Sequence, residues 1–197
     1  MRLFIGIFPP QDIISRIRDS IRKLDKIKRN LKFVPYDQMH ITLKFLGNSV
    51  SDESYDKIVK SLNRITPSLS QIKISFDNIW FGFPGRRYPH VIFFTISKNK
   101  ELDALSKTIH EEIKELKLLD TIRRMDNKKL INHLTIARTK HSISASFARN
   151  TRKLLQEFQV SDMSFVADEI ILIRSDLTNT GPLYKKMARF KLSNLTI

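Results

Sequence analysis

The feature that most narrows the fold is a five-element pattern that runs through the chain twice. Residues 2–8, RLFIGIF, read as a strand, and residues 11–28 place Ile13, Ile14, Ile17, Ile21 and Leu24 at helical spacing with charge between them. A basic loop and the strand-like MHITLKFLG follow, then a helical stretch over 51–65 and a strand over 71–81. The second half repeats this order. Residues 90–96 read as a strand, and residues 100–119 set Leu102, Leu105, Ile109, Ile113 and Leu116 on one helical face. A basic loop then leads to the strand-like INHLTIAR, a helix over 144–158 and a strand over 160–173. The period is about 90 residues with two copies, which is not the signature of a solenoid. We therefore expect an internal repeat, approximately 1–85 and 88–197, joined near the Gly- and Pro-rich residues 81–90.

Each copy carries the same short motif. His40-Ile41-Thr42-Leu43 is one and His133-Leu134-Thr135-Ile136 is the other. Alternate side chains on a strand face the same way, so each motif aims a His and a Thr to one side and two aliphatics to the other. A single His-x-Thr among five His is close to chance, whereas two in matched contexts call for a cause. Pseudo-twofold symmetry would set the motifs face to face at a shared cleft. The expected fold is α+β: a single domain, 1–197, of two similar lobes flanking that cleft. Each lobe is a mostly antiparallel sheet with helices on its outer face. Strand–helix alternation alone would suggest a parallel α/β sheet; the repeat, together with the resemblance to a known family given below, outweighs it.

Two facing imidazoles suit phosphoester chemistry. An unperturbed imidazole titrates near neutrality, so one can take a proton from water while the other gives one to a leaving oxygen. Each Thr hydroxyl can donate to a non-bridging phosphate oxygen as charge builds there. No Asp or Glu lies in either motif strand, so no metal or other cofactor is expected. The bland alternative is a pair of polar residues on half-exposed strands. A zinc site using His40, His133 and a third His is a further alternative, although no HExxH spacing exists. His90 at a strand start, His110 on the polar side of a helix and His141 in a loop have no assigned role.

The net charge of +15 points to a polyanionic partner, with nucleic acid the leading class. Basic residues concentrate at 22–32, 86–87, 123–129 and 138–140. A solvated basic surface is the competing reading. An anionic membrane surface fits less well, because no helix joins a basic face to bulky aromatics. No stretch approaches the roughly 20 apolar residues of a membrane span, and no signal peptide is read at the N-terminus. With no Cys, disulfides and thiolate metal sites are excluded, and a cytoplasmic location is expected.

These blocks resemble a known family. The chain is similar to the two-histidine phosphoesterases, specifically the archaeal and bacterial RNA 2′,3′-cyclic phosphodiesterases, also described as 2′-5′ RNA ligases. MRLFIGIFPP resembles the opening strand, MHITLKFLG and HLTIAR the two motifs, and FGFPGRRYPHVIFFTI the central segment. IRSDLTNTGPLYKKMARFKL resembles the C-terminal block. Asn132 departs from the Pro that often precedes the second His. The resemblance implies that His40 donates a proton to the leaving ribose oxygen and that His133 activates water. Thr42 and Thr135 would bind phosphate, and the product would carry a 2′-phosphate. RNA with 2′,3′-cyclic phosphate ends is the implied partner, with no obligate protein partner, and a monomer is the default.

The resemblance also implies that Phe45 stacks on the terminal base and that Arg138 contacts phosphate. Each lies five residues after its His, and an odd offset points to the opposite strand face unless a bulge re-aims it. A core aromatic and a solvated charge are the plain alternatives. Lys44 has the parity to face the cleft. Ser175 and Tyr184 lie in the C-terminal block, where packing explains Tyr184 as well as substrate contact does. Rival functions are a non-catalytic RNA-binding module, or the same machinery acting on a small cyclic phosphate or a 2′-5′ oligonucleotide. Loss of a His or Thr would mark the former, and none is lost. Extra phosphates need extra cations, so the charge favours a polymer.

Overall fold

The computed structural model describes residues 1–84, 89–118, 131–158, 160, 163–179 and 181–194. The basic pairs and runs expected at 86–87 and 123–129 lie outside the described residues, as does part of the 81–90 junction. The elements are β1 (Leu3–Ile7), α1 (Gln11–Ser20), β2 (Leu31–Phe33), β3 (Ile41–Gly47), α2 (Asp52–Ile65), β4 (Ile72–Phe81), β5 (Val91–Ile96), α3 (Lys100–Glu115), β6 (His133–Thr139), α4 (Ala145–Leu155), β7 (Ser164–Ala167), β8 (Glu169–Thr178) and β9 (Gly181–Lys191). The fold is α+β, and all pairings between these strands are antiparallel.

The strands form one sheet in the order β7-β4-β5-β6-β3-β1-β8-β9, with β2 pairing to β6 off this path. The sheet does not divide where the sequence does. β4, the fifth element of the first half, pairs with β5 of the second half, and β8 pairs back to β1. Each half therefore has a late strand paired with the first strand of the other. β3 and β6 meet at the centre through one pair, Ile41 and Leu134. These two residues hold equivalent positions in the motifs, immediately after each His. An antiparallel pair that joins equivalent positions has local twofold symmetry, and it sets the motif strands side by side.

Helices cover one face of the sheet. The stripe Ile13, Ile14, Ile17, Ile21 and Leu24 is buried, as are Leu102, Leu105, Ile109 and Ile113 of α3, in one core with Ile5, Ile7, Ile41 and Leu134. Each aliphatic of this kind contributes about 1.5–3 kcal/mol by leaving water. Side chains cap three helices: Ser51 accepts from the Ser54 N–H at 3.2 Å, Asn99 from Leu102 at 2.8 Å and Ser144 from Phe147 at 3.1 Å. The expected helix over 11–28 is α-helical only to Ser20, then winds as a 3-10 helix to Asn30. The loop expected before His40 contains β2, which is short and basic and so carries little strand signal. No helix among the described residues is long and apolar enough to cross a membrane. On the other face of the sheet, Phe4, Ile171 and Ile173 form a second, small apolar cluster against which Phe8, Phe45 and Tyr184 pack.

Candidate active site

The open face of the sheet carries a cavity of about 530 Å³, lined by His40, Thr42, Phe45, His133, Thr135 and Arg138 among others. The structure thus brings these six of the seven residues singled out in the two motif strands together. Strand parity alone would have removed Phe45 and Arg138. Both motif strands, however, slip register just after their Thr. Gly6 pairs with Thr42 but Ile5 pairs with Lys44, so Leu43 is the extra residue. Phe93 pairs with Thr135 but Ile92 pairs with Ala137, so Ile136 is extra. Leu43 and Ile136 are equivalent in the two motifs. A bulge adds one residue and reverses the parity beyond it, which returns the fifth residue after each His to the same face as the His and Thr.

The same bulge overturns the expectation for Lys44. Its partner in the sheet is Ile5, which belongs to the helix-side core. The Lys44 ammonium donates to Nδ1 of His110 on α3 at 2.9 Å, on the far side of the sheet from the cavity. The other histidines are also placed elsewhere: His90 Nδ1 lies 3.3 Å from the Thr139 hydroxyl, and His141 is exposed. The zinc alternative therefore finds no third imidazole beside His40 and His133.

Each catalytic candidate is held in the same way. The His40 ring donates its Nδ1–H to the Gln38 carbonyl at 2.7 Å, and the His133 ring to the Ile131 carbonyl at 2.6 Å. A carbonyl only accepts, so in the neutral ring the proton sits on Nδ1 and Nε2 is left as the acceptor. Asn132, at the position noted for its departure, turns its amide toward the Asp103 carboxylate at 3.4 Å and leaves this anchor in place.

The surroundings of the two rings differ. Phe4 lies 4.7 Å from the His40 ring centre, Phe8 5.6 Å and Tyr184 5.1 Å edge-on. His133 meets Phe83 and Phe93 edge-on at 5.0 and 5.1 Å. Burial among these rings pushes the His40 pKa down to about 4, against a rise from the Gln38 carbonyl; the nearby His133 and Arg138 lower it further. Burial also lowers the His133 pKa, opposed by the Ile131 carbonyl and reinforced by Arg138. Both shifts favour the neutral ring in the unliganded protein. Tyr184 has its phenol pKa raised by burial, and its packing on His40 and Phe4 is its visible contact.

The rest of the cavity is cationic. Arg2, Lys32 and Arg138 line it, with no carboxylate among the described lining residues. Arg2 donates to Asn48 at 2.8 Å and lies 4.8 Å from the centre of the Phe45 ring. Sequence reasoning missed Arg2 and Lys32. Arg2 precedes the first strand without any motif, and Lys32 reaches the site only because β2 pairs with the Arg138 stretch of β6. Ser175 also lines the cavity. The hydroxyls of Thr42 and Thr135 make no hydrogen bond to described protein groups, so both remain available as donors. Two imidazoles, two hydroxyls and three cations are groups able to move protons and balance charge in an in-line displacement at a phosphorus centre.

A family model described as the 2′-5′ RNA ligase superfamily matches residues 9–179. The RNA 2′,3′-cyclic phosphodiesterase of Methanocaldococcus jannaschii is 31% identical over 191 residues, covering 94% of this chain and 97% of that protein. The enzyme of the same description from Archaeoglobus fulgidus is 28% identical over 194 residues, covering 97% and 100%. Among solved structures, TT0787 of Thermus thermophilus superposes with a TM-score of 0.81 at 22% identity, covering 99% and 100%. Escherichia coli LigT complexed with 3′-AMP superposes with a TM-score of 0.74 at 19% identity, covering 97% of each chain. At these identities the structural likeness concerns the fold.

Proposed function

The chain belongs to the 2′-5′ RNA ligase superfamily, and from that premise we propose that it is an RNA 2′,3′-cyclic phosphodiesterase that works by two-histidine acid–base catalysis without a metal. The observation that carries this reading is the pair of equivalent bulged strands that turn His40, Thr42, His133 and Thr135 into one cationic cavity. Relatives that match nearly the whole chain bear the same description.

In the proposed mechanism the cyclic phosphate lies between the two imidazoles. His133 Nε2 takes a proton from water as the water oxygen attacks phosphorus. His40, protonated in the complex, gives its Nε2 proton to the departing O3′, and a 2′-phosphomonoester results. The anionic phosphate raises both imidazole pKa values on binding, which counters the burial that keeps His40 neutral in the free protein. Thr42 and Thr135 donate to the non-bridging oxygens, and Arg138 balances their charge. Phe45, with the Arg2 guanidinium against it, offers the terminal base an aromatic surface that is indifferent to base identity. A cationic lining and a net charge of +15 favour an RNA end over a small cyclic phosphate. The same groups run in the reverse direction would join a cyclic end to a 5′-hydroxyl through a 2′-5′ bond.

The test is turnover of an RNA oligonucleotide with a 2′,3′-cyclic phosphate end in excess chelator, with the product identified by mass and by resistance to a 3′-specific phosphatase. Wild type is expected to yield the 2′-phosphate, with His40→Ala and His133→Ala each slower by about 10²–10⁴-fold. Absence of turnover by the wild type would overturn the reading.

A further inference from the structure

The sheet order continues outward from each motif strand, and the two continuations are equivalent. From Thr42 the neighbours across the sheet are Gly6 and then Ile171; from Thr135 they are Phe93 and then Trp80. Ile171 is 1% exposed, in the small cluster where Tyr184 also packs. Trp80 is 41% exposed. β9 extends the sheet beyond β8, whereas β7 pairs with β4 only over Ile72–Ser75 and ends short of Trp80. The chain thus leaves a large aromatic open on the His133 side at the position it buries on the His40 side.

Trp80 belongs to a set of rings that leads to the catalytic base. It lies 6.3 Å from Phe93, which stacks on Phe83 at 4.5 Å, and both of these contact His133. Strands in a sheet lie about 4.8 Å apart, so Trp80 stands about 10 Å from Thr135, on the order of one nucleoside's length. Beside it is a hollow of about 330 Å³ with Thr95 and Ile131 in its lining. Ile131 is itself 41% exposed, and its carbonyl anchors His133. Asp77, Asp103 and Lys98 also line the hollow. Two carboxylates against one ammonium suit an uncharged hydroxyl end and repel a terminal phosphate.

We propose that Trp80 and the hollow beside it hold the nucleoside whose 5′-hydroxyl attacks the cyclic phosphate in 2′-5′ joining. The proposal rests on the two-histidine reading above. In-line attack places nucleophile and leaving group on opposite sides of phosphorus, so a nucleophile served by His133 enters from the Trp80 side. The 5′ oxygen bonds to phosphorus and passes its proton to His133, the P–O3′ bond breaks, and O3′ takes the proton of His40. Water needs no platform, so Trp80 governs joining and leaves hydrolysis unaffected.

Trp80 is the chain's single tryptophan, and its fluorescence therefore reports this site alone. The experiment titrates the wild-type protein, with inorganic phosphate present, with an RNA tetranucleotide bearing a 5′-hydroxyl and with its 5′-phosphorylated counterpart. In parallel, the ratio of joined to hydrolysed product from a cyclic-phosphate RNA and a 5′-hydroxyl RNA is measured for wild type, Trp80→Phe and Trp80→Ala. Expected are saturable quenching by the 5′-hydroxyl RNA, weaker quenching by the phosphorylated one, and a joined fraction about tenfold lower in Trp80→Ala. Hydrolysis should stay within about twofold and Trp80→Phe should retain most joining, because a smaller ring still stacks. The proposal is overturned if hydrolysis and joining fall together, if neither changes, or if a hydrolytically active wild type shows no joining and no quenching. A wild type without hydrolysis would instead overturn the reading on which the proposal rests.

Discussion

The buried His40 ring makes the stability of the fold depend on pH, and the structure sets the size of the effect. The unfolded chain takes up a proton on this ring near pH 6.5, while burial holds the folded ring to about 4. Between those values the unfolded state binds the extra proton, so falling pH favours unfolding. The contribution is complete above pH 6.5 and drains away toward pH 4. One pH unit of depression is worth about 1.4 kcal/mol, so lowering the pH from 7 to 5 removes about 2 kcal/mol through His40 alone. The assay is urea unfolding at pH 7 and pH 5, in buffers free of phosphate, for wild type and His40→Asn. Asn still has an N–H to offer the Gln38 carbonyl and does not titrate in this range. Carboxylates and His133 contribute alike to both proteins, so the difference between the two losses isolates His40. Wild type should lose about 2 kcal/mol more than the variant. Equal losses would refute the argument that aromatic burial, and not the carbonyl bond, governs this ring.

Three further outcomes are expected. Thr42→Val and Thr135→Val, which keep shape and remove a donor, should each lower kcat by about 10²–10³-fold, with urea midpoints unchanged. Lys44→Met should leave cyclic-phosphate hydrolysis within about twofold, since the side chain points to His110 beneath the sheet; a loss near that of the Thr variants would mean the bulge is misplaced. Gly6→Ala would set a Cβ 2.8 Å from the Ile41 carbonyl oxygen and 3.5 Å from the His40 ring. A cost of about 1–3 kcal/mol in thermal or urea unfolding follows from such crowding, with a fall in kcat as His40 shifts.

Periodicity was enough to place most elements. Helical stripes such as Leu102, Leu105, Ile109 and Ile113 face one core, and alternation around each motif placed His and Thr on one face. What periodicity does not encode is a change of phase. An extra residue at Leu43 and at Ile136 leaves no mark in composition, because both are aliphatics in runs of aliphatics. Counting by twos therefore turned Phe45 and Arg138 away from the cavity and Lys44 toward it, and only the register shows the reversal of all three. Pairing partners are equally silent in sequence. That β4 and β8 exchange sides, and that β2 lays Lys32 beside Arg138, depends on contacts between residues far apart in the chain.

The equivalence of the two motif strands raises a chemical question that only their surroundings can answer. A displacement at phosphorus needs one group to give a proton and another to take one, and equivalent strands supply two imidazoles with the same anchor and the same tautomer. Nothing in the motifs distinguishes them. The neighbours do. His40 is packed by Phe4, Phe8 and Tyr184, with Gly6 beneath it making room, and His133 by Phe83 and Phe93. At the position after Thr42 and Thr135 in the sheet, one half has Gly6 and the other Phe93. This exchange of Gly for Phe is one of the differences that set the two rings in unlike surroundings. Beyond it, Ile171 is buried and Trp80 exposed, so the outer surface differs as well. Differences in proton affinity and in access therefore come from the first and second strands flanking each motif. Exchanging residues there should shift the proton affinities of the two histidines without touching either one.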